Sequence, residues 1–145
     1  MPCYHPWQVT VKGAAATRPV SCGQCYGCRL ERSRQWAVRC MHEAQLYDFN
    51  SFITLTYRSD TFSLDYTDYQ LFMKRLRARF DHARIRFYMC GEYGDINGRA
   101  HFHACLFNFR FPDLVYYKKT ASGAKLYTSQ ILEDLWGHGL CSEVS

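Results

Sequence analysis

Two histidines, His101 and His103, stand one residue apart in "HFHACLF", inside an otherwise apolar run. Side chains two apart on a strand point to the same face, so both imidazoles face one way and Phe102 the other. Upstream lies "GEYGDING", and Asn97-Gly98 is a strong hairpin signal. A turn centred on Ile96 and Asn97 sets Glu92 across from His101. One carboxylate and two imidazoles then converge, a donor set for a divalent cation. Mn²⁺ or Mg²⁺ suits it, with open positions left for water and phosphate, and Zn²⁺ is also accommodated. The bland alternative is a pair of half-buried histidines bonded to backbone or water.

A second cluster reads C-x2-C-x2-C, at Cys22, Cys25 and Cys28. Three thiolates at this spacing let a turn wrap one Zn²⁺, and Gly23 and Gly27 supply the tight backbone. The fourth ligand is Cys3, with His5 as its substitute. An iron–sulfur cluster uses similar ligands, and free or disulfide-bonded thiols are the plain alternative. Cys40, Cys90, Cys105 and Cys141 sit on apolar patterns and read as core residues.

The elements that position these groups follow from periodicity. Residues 1–21 read as irregular. A helix is predicted over 28–47, with Leu30, Ala37, Cys40, Met41, Ala44 and Tyr47 as one apolar stripe. "SFITLTY" (51–57) is a β-branched and aromatic strand. A helix over 67–80, capped by Asp65 or Thr67, puts Tyr69, Phe72, Met73, Leu76 and Phe80 on one side. Strands over 84–93 and 100–109 flank the turn. A loop around "TASGAK" leads to a short helix over 128–136, and "GHGLCSEVS" starts a fourth strand. The plan is α+β, an antiparallel sheet with helices packed on one face. It forms a single domain over 1–145 with residues 1–28 as a cysteine-rich metal-binding arm.

Composition sets the bounds. The chain has 145 residues, 48% hydrophobic and 21% charged, which excludes a disordered tail. No segment approaches the ~20 apolar residues of a membrane span, and the N-terminus carries no signal-peptide core. A cytoplasmic protein keeps its thiols reduced, which favours metal ligation by the cysteines. The net charge of +5 suits a nucleic-acid partner. Arg29, Arg32, Arg34 and Arg39 on the first helix, and Lys74, Arg75, Arg77 and Arg79 on the second, are candidates for phosphate contacts; otherwise they are solvated helix faces. With 11 Tyr and 10 Phe, rings are available to stack on unpaired bases.

Taken together, "PCYHP", "CGQCYGCRLERSRQWAVRCMHEA", "FITLTY", "FMKRLR", "CGEYGD" and "HFHACLF" resemble the replication initiators of gokushovirus-type single-stranded DNA phages, members of the HUH endonuclease superfamily. "FITLTY" looks like the family's first motif and "HFH" like its metal motif. The resemblance covers nearly the whole chain. It implies a ferredoxin- or RRM-like nuclease plan and an enzyme that nicks single-stranded DNA at a replication origin in the host bacterial cytoplasm. The implied product is a 5′-phosphotyrosine link that starts rolling-circle replication, with host replication machinery as a further partner. The metal ligands carry over to His101 and His103 directly, and to Glu92 by its place in the hairpin. The family pattern continues into a helix with the nucleophilic tyrosine, in a pattern like YVxRYxxK. The sequence reaches Ser145 without it, so the nucleophile is expected beyond Ser145 and this chain is expected to bind metal and DNA without cleaving. Tyr116, Tyr117 and Tyr127 follow the histidines but match no part of that motif. Two other readings compete: a non-catalytic, zinc-stabilised module that binds single-stranded nucleic acid, and a metal-dependent hydrolase whose bound water attacks the phosphate.

Overall fold

The computed structural model describes residues 3–59 and 63–144. The chain forms two compact units, Met1–His42 and Glu43–Ser145. In the first, β1 (Trp7–Thr10) and β2 (Thr17–Val20) make an antiparallel hairpin in which Trp7 pairs with Val20. Gly13 turns it at φ 87°, a conformation that costs a glycine nothing. This hairpin replaces the irregular segment expected over 1–21. All eight of its residues are exposed, so no alternation of apolar and polar side chains betrays it.

The helix α1 (Tyr26–Ala44) starts two residues before the expected Cys28 and stops three short of Tyr47. Only Gly27 is buried within it, and Leu30, Trp36 and Met41 are exposed. The apolar stripe read from its periodicity therefore stays largely at the surface.

The second unit carries one six-stranded antiparallel sheet. Its elements are β3 (Asn50–Thr56), α2 (Tyr66–Arg79), β4 (Arg86–Tyr93), β5 (Ala100–Phe107), β6 (Val115–Lys119), β7 (Lys125–Thr128), α3 (Gln130–Trp136) and β8 (Cys141–Val144). The order across the sheet is β4-β5-β3-β8-β7-β6. The expected strands and helices are present within a few residues. The loop expected around "TASGAK" is present, but it joins two strands, β6 and β7, that were not expected. Every residue of β6 is exposed, so it too lacks the two-residue burial pattern of a strand against a core.

Alternation in the central strands sorts the two faces. Ser51, Ile53 and Leu55 of β3 and Ala100, Phe102, Ala104 and Leu106 of β5 are buried on one face. There they meet Tyr69, Phe72, Met73 and Leu76 of α2 and Leu132 and Trp136 of α3. Truncating a fully buried leucine such as Leu76 to alanine costs about 2–5 kcal/mol. The helix ends are well terminated. Asp65 accepts from the Thr67 amide at 2.8 Å, and Ser129 accepts from the Leu132 amide at 3.0 Å. Gly137, at φ 73°, closes α3 in the left-handed conformation.

Beyond Gly137 the chain crosses the end of β3. The Thr56 amide donates to Leu140 O at 3.0 Å and the Arg58 amide to His138 O at 2.7 Å. At the crossing, a Cβ on Gly139 would overlap the Thr56 carbonyl oxygen and come within 2.7 Å of the Arg58 amide nitrogen. The Trp136 indole donates to that same Thr56 carbonyl at 3.1 Å.

Candidate metal centres

The face of the sheet turned away from α2 and α3 carries the first centre. Register places Glu92 opposite His101 and Cys90 opposite His103 on one side of β5, with Thr56 opposite His101 and Thr54 opposite His103 on the other. The chain reverses between β4 and β5 through Gly94 and Gly98, the Gly94 amide donating to Arg99 O and the Gly98 amide to Gly94 O. Glu92 Oε1 lies 2.8 Å from His101 Nε2 and 3.1 Å from His103 Nε2. The carboxylate side chain is 55% exposed, while the imidazoles are 16% and 26% exposed, so the set opens to solvent through the glutamate. The two imidazoles beside it hold the Glu92 carboxyl below its usual range.

The far side of each ring is also fixed. His101 Nδ1 lies 3.0 Å from the Arg99 carbonyl oxygen, which can only accept, so Nδ1 donates there and Nε2 is the nitrogen turned to Glu92. His103 Nδ1 lies 3.0 Å from Thr54 Oγ1, and Phe52 stacks on the same ring at 5.4 Å. Anchoring one ring nitrogen so that the other faces a ligand is what metal-binding histidines require. The Oε1 atom and both Nε2 atoms lie within 4.8 Å of one another, a donor set that fits one divalent cation.

The second centre lies in the first unit. The sulfurs of Cys3, Cys22, Cys25 and Cys28 are all within 4.8 Å of one another. Cys3 Sγ stands 3.5 Å from Cys22 Sγ and 3.8 Å from Cys25 Sγ. Four thiolates at about 2.3 Å from a tetrahedral Zn²⁺ stand about 3.8 Å apart, so the spacing fits that ion. Backbone amides point at the sulfurs: Cys22 N to Cys3, Cys25 N to Cys22 and Tyr4 N to Cys25, at 3.3–3.4 Å. The amides of Tyr4 and Cys28 pull the Cys25 thiol down to about 6, and those of Gln24 and Cys25 lower Cys22. Desolvation pushes Cys28 the other way, to about 11, a shift that a bound cation reverses. Among the described residues Cys3, rather than His5, completes the tetrad.

The remaining cysteines divide. Cys141 is buried, whereas Cys40 and Cys105 are half-buried and Cys90 is exposed on the histidine face. The expectation of a core residue therefore fails at Cys90, because β4 is an edge strand with one uncovered face.

The basic residues are dispersed. Arg29 and Arg32 are carried on α1, and Arg34 is engaged with Glu31 at 2.6 Å. Arg39 lies over Trp36. The helix α2, with Lys74, Arg75, Arg77 and Arg79, packs on the sheet face opposite the histidines. Arg75 Nε donates to Leu135 O at 2.8 Å, tying α2 to the end of α3. Arg77 donates twice to Ile85 O, at 2.9 and 3.2 Å. Tyr116, Tyr117 and Tyr127 are on β6 and β7, at the other end of the sheet from β4.

Sequence reasoning missed the orienting groups Thr54 and Arg99 O. The signal for Thr54 was its place in "FITLT", where alternation puts it on the uncovered face; a backbone carbonyl leaves no sequence signal.

The family profile of replication-associated protein ORF2/G2P matches residues 50–144, which hold the whole six-stranded sheet. The chain belongs to this family. It is 38% identical over 128 residues to replication-associated protein VP4 of Bdellovibrio phage phiMH2K, covering 81% of this chain and 41% of the relative. Against replication-associated protein ORF4 of Chlamydia phage 1 the identity is 35% over 132 residues, covering 83% of this chain and 33% of the relative. Replication-associated protein ORF2 of Spiroplasma virus 4 is 31% identical over 132 residues, covering 83% and 41%. The resemblance to phage replication initiators read from "CGEYGD" and "HFHACLF" is thus borne out. The chain spans about two fifths or less of the length of these relatives. No solved structure matches. No helix among the described residues is long and apolar enough to cross a membrane.

Proposed function

We propose that the second unit is the metal-binding half of an HUH-type endonuclease that nicks single-stranded DNA at a replication origin and so starts rolling-circle replication in the host cytoplasm. The observation that carries this reading is the convergence of Glu92 Oε1 on His101 Nε2 and His103 Nε2, with both Nδ1 atoms tethered from behind. Glu92, His101 and His103 would hold Mn²⁺ or Mg²⁺. When bound, the cation supplies Lewis-acid polarisation of the scissile phosphate and steadies the charge that develops there. The protein's own part is to hold both Nε2 atoms turned to Glu92 and to leave the exposed side of Glu92 open to a phosphate.

Cleavage also needs a nucleophile in line with the leaving oxygen. A tyrosine oxygen attacks phosphorus, the bond to the 3′ oxygen breaks, and a 5′-phosphotyrosine remains beside a free 3′ hydroxyl. Tyr116, Tyr117 and Tyr127 are poor candidates. At about 4.8 Å per strand, β7 lies about 14 Å from β5 across the sheet, and β6 lies further still. The resemblance implies a nucleophilic tyrosine on a helix with a pattern like YVxRYxxK, which these three do not match. Cys3, Cys22, Cys25 and Cys28 would hold a structural Zn²⁺.

The test is a labelled origin oligonucleotide and a protein of the relatives' length. A covalent adduct that requires Mn²⁺ and disappears with His103→Ala is expected; an adduct that persists in that variant overturns the assignment. The cysteine tetrad favours a second reading, a non-catalytic, zinc-stabilised module that binds single-stranded nucleic acid. That reading holds if the longer protein binds the oligonucleotide and never cleaves it.

A further inference from the structure

Beside the histidine face, the end of β3 and the chain that crosses it enclose a cleft of about 280 Å³. Thr56, Arg58, Arg99, Glu133, Gly139 and Leu140 line it. Arg99 also lines a neighbouring hollow shared with His101 and the turn residues Gly94–Asn97. One arginine thus borders both the cleft and the surface over His101. Thr56 makes the same connection from the other strand, since it is the register partner of His101.

We propose that Arg58 and Arg99 form an anion site that takes a phosphate of the DNA strand next to the one over Glu92, His101 and His103. Arg58 and Arg99 both line this one cleft, and neither is in an ion pair within the described residues. Glu133 lines the same cleft but lies beyond ion-pair distance of both. The Arg99 Nε is buried and has no hydrogen-bond acceptor within the described residues. A buried donor with nothing to bond is costly, and native structures seldom leave one so. A phosphate oxygen entering the cleft supplies the missing acceptor, and the planar fork of a guanidinium matches it in geometry and charge.

The arrangement also has a mechanical reason. Arg99 immediately precedes β5, and its carbonyl fixes His101 Nδ1. An oxyanion held by its side chain is therefore placed relative to the ring whose Nε2 faces Glu92. Gly139 keeps the crossing chain pressed on Thr56 and Arg58, so the cleft wall is rigid where the anion would rest. Interactions of this kind position a strand without reading its sequence.

The inference rests on the single-strand DNA reading above, and the test separates the two. Anisotropy of labelled dT12 is measured against salt, in chelator, so that the histidine centre takes no part. Removing one cation that neutralises a phosphate of a single strand flattens the log–log salt slope by about 0.7. Arg58→Ala and Arg99→Ala should each flatten the slope by that amount and weaken binding several-fold at low salt. Arg58→Lys should keep the slope. Arg99→Lys should keep most of it while losing affinity, because the Nε donor is gone. Circular dichroism verifies the fold, and Mn²⁺ titration of Arg58→Ala should match the parent. Unchanged slopes in both folded alanine variants overturn the site. Line broadening of inorganic phosphate in ³¹P spectra, present in the parent and abolished in Arg99→Ala, forms the second arm. If that pattern holds while dT12 does not bind at all, the anion site stands and the DNA reading falls.

Discussion

Thr54 Oγ1 sits 3.0 Å from His103 Nδ1, across the β3–β5 register and on the side of the ring away from Glu92. A side chain that merely filled space would not need a hydroxyl there. The hydroxyl engages Nδ1 and so holds the ring with Nε2 turned to Glu92. Thr54→Val keeps the shape and removes the hydrogen-bond partner. Mn²⁺ affinity should fall about 10–100-fold, the usual effect of losing such a partner. Titration followed by electron paramagnetic resonance measures it, and unchanged affinity would show that Thr54 plays no part.

His103→Ala removes one of the three donors outright. Mn²⁺ binding at this centre should disappear, and zinc content should stay as in the parent protein. Single-stranded DNA binding should largely persist, because many phosphates are held and the cation acts on one. A parallel loss of zinc in elemental analysis would mean that the fold, rather than the site, had been damaged.

The cysteine tetrad should hold about one Zn²⁺ per chain, resistant to mild chelation that strips the histidine centre. Cys25→Ser should lower zinc content and the melting temperature together. Protein freed of zinc that melts at the parent temperature would remove the structural role.

Glu143 is fully buried, and neither carboxyl oxygen has a hydrogen-bond partner within the described residues. Burial pushes its pKa up to about 7, with Ser51 and Arg110 pulling down and Asp113 pushing up. The folded state therefore binds the proton more tightly than the unfolded chain does. The stabilising effect of that proton is complete below the unfolded value of about 4.3 and is lost as pH rises through 7. Glu143→Gln should be near neutral at pH 4 and more stable than the parent at pH 8, by up to about 3 kcal/mol. Urea melts at the two pH values decide it; equal differences at both would show that the carboxyl is not protonated in the fold.

Gly139→Ala should cost about 1–3 kcal/mol or more, because the added methyl meets the backbone of β3 rather than a movable side chain. The expected sign is a lower denaturation midpoint with an unchanged slope in urea. A midpoint equal to that of the parent would show that the crossing can yield.

The legible parts of the fold were those where burial alternates. "SFITLTY" and "AHFHACLF" announced β3 and β5 because every second residue faces α2 and α3. Asp65 announced the start of α2 because a carboxylate there accepts an amide. The turn at Asn97-Gly98 gave the register that brings Glu92 to His101, and the cysteine spacing gave the tetrad. The hairpins β1–β2 and β6–β7 were not legible. Their backbones pair, yet the side chains of β1, β2 and β6 are all exposed, so periodicity carries no message. The carbonyl contacts of Arg75 and Arg77 were not legible for a related reason: charge alone does not say that a guanidinium ties α2 to the end of α3 or to Ile85.

The three donors of the histidine centre span only twelve positions of chain, from Glu92 to His103, whereas Thr54 lies 49 residues from the ring it orients. Closing a hairpin takes about 1–10 μs, and distant pairings must first overcome the entropy of a longer loop. Loop-closure entropy therefore favours the hairpin before the pairing with β3. Hairpin closure gathers the donors, with rings still free to turn about χ1 and χ2. Arrival of β3 then fixes the orientation of His103. A nascent chain that has formed only the hairpin can meet a cation weakly, and the central strand converts that encounter into a shaped site.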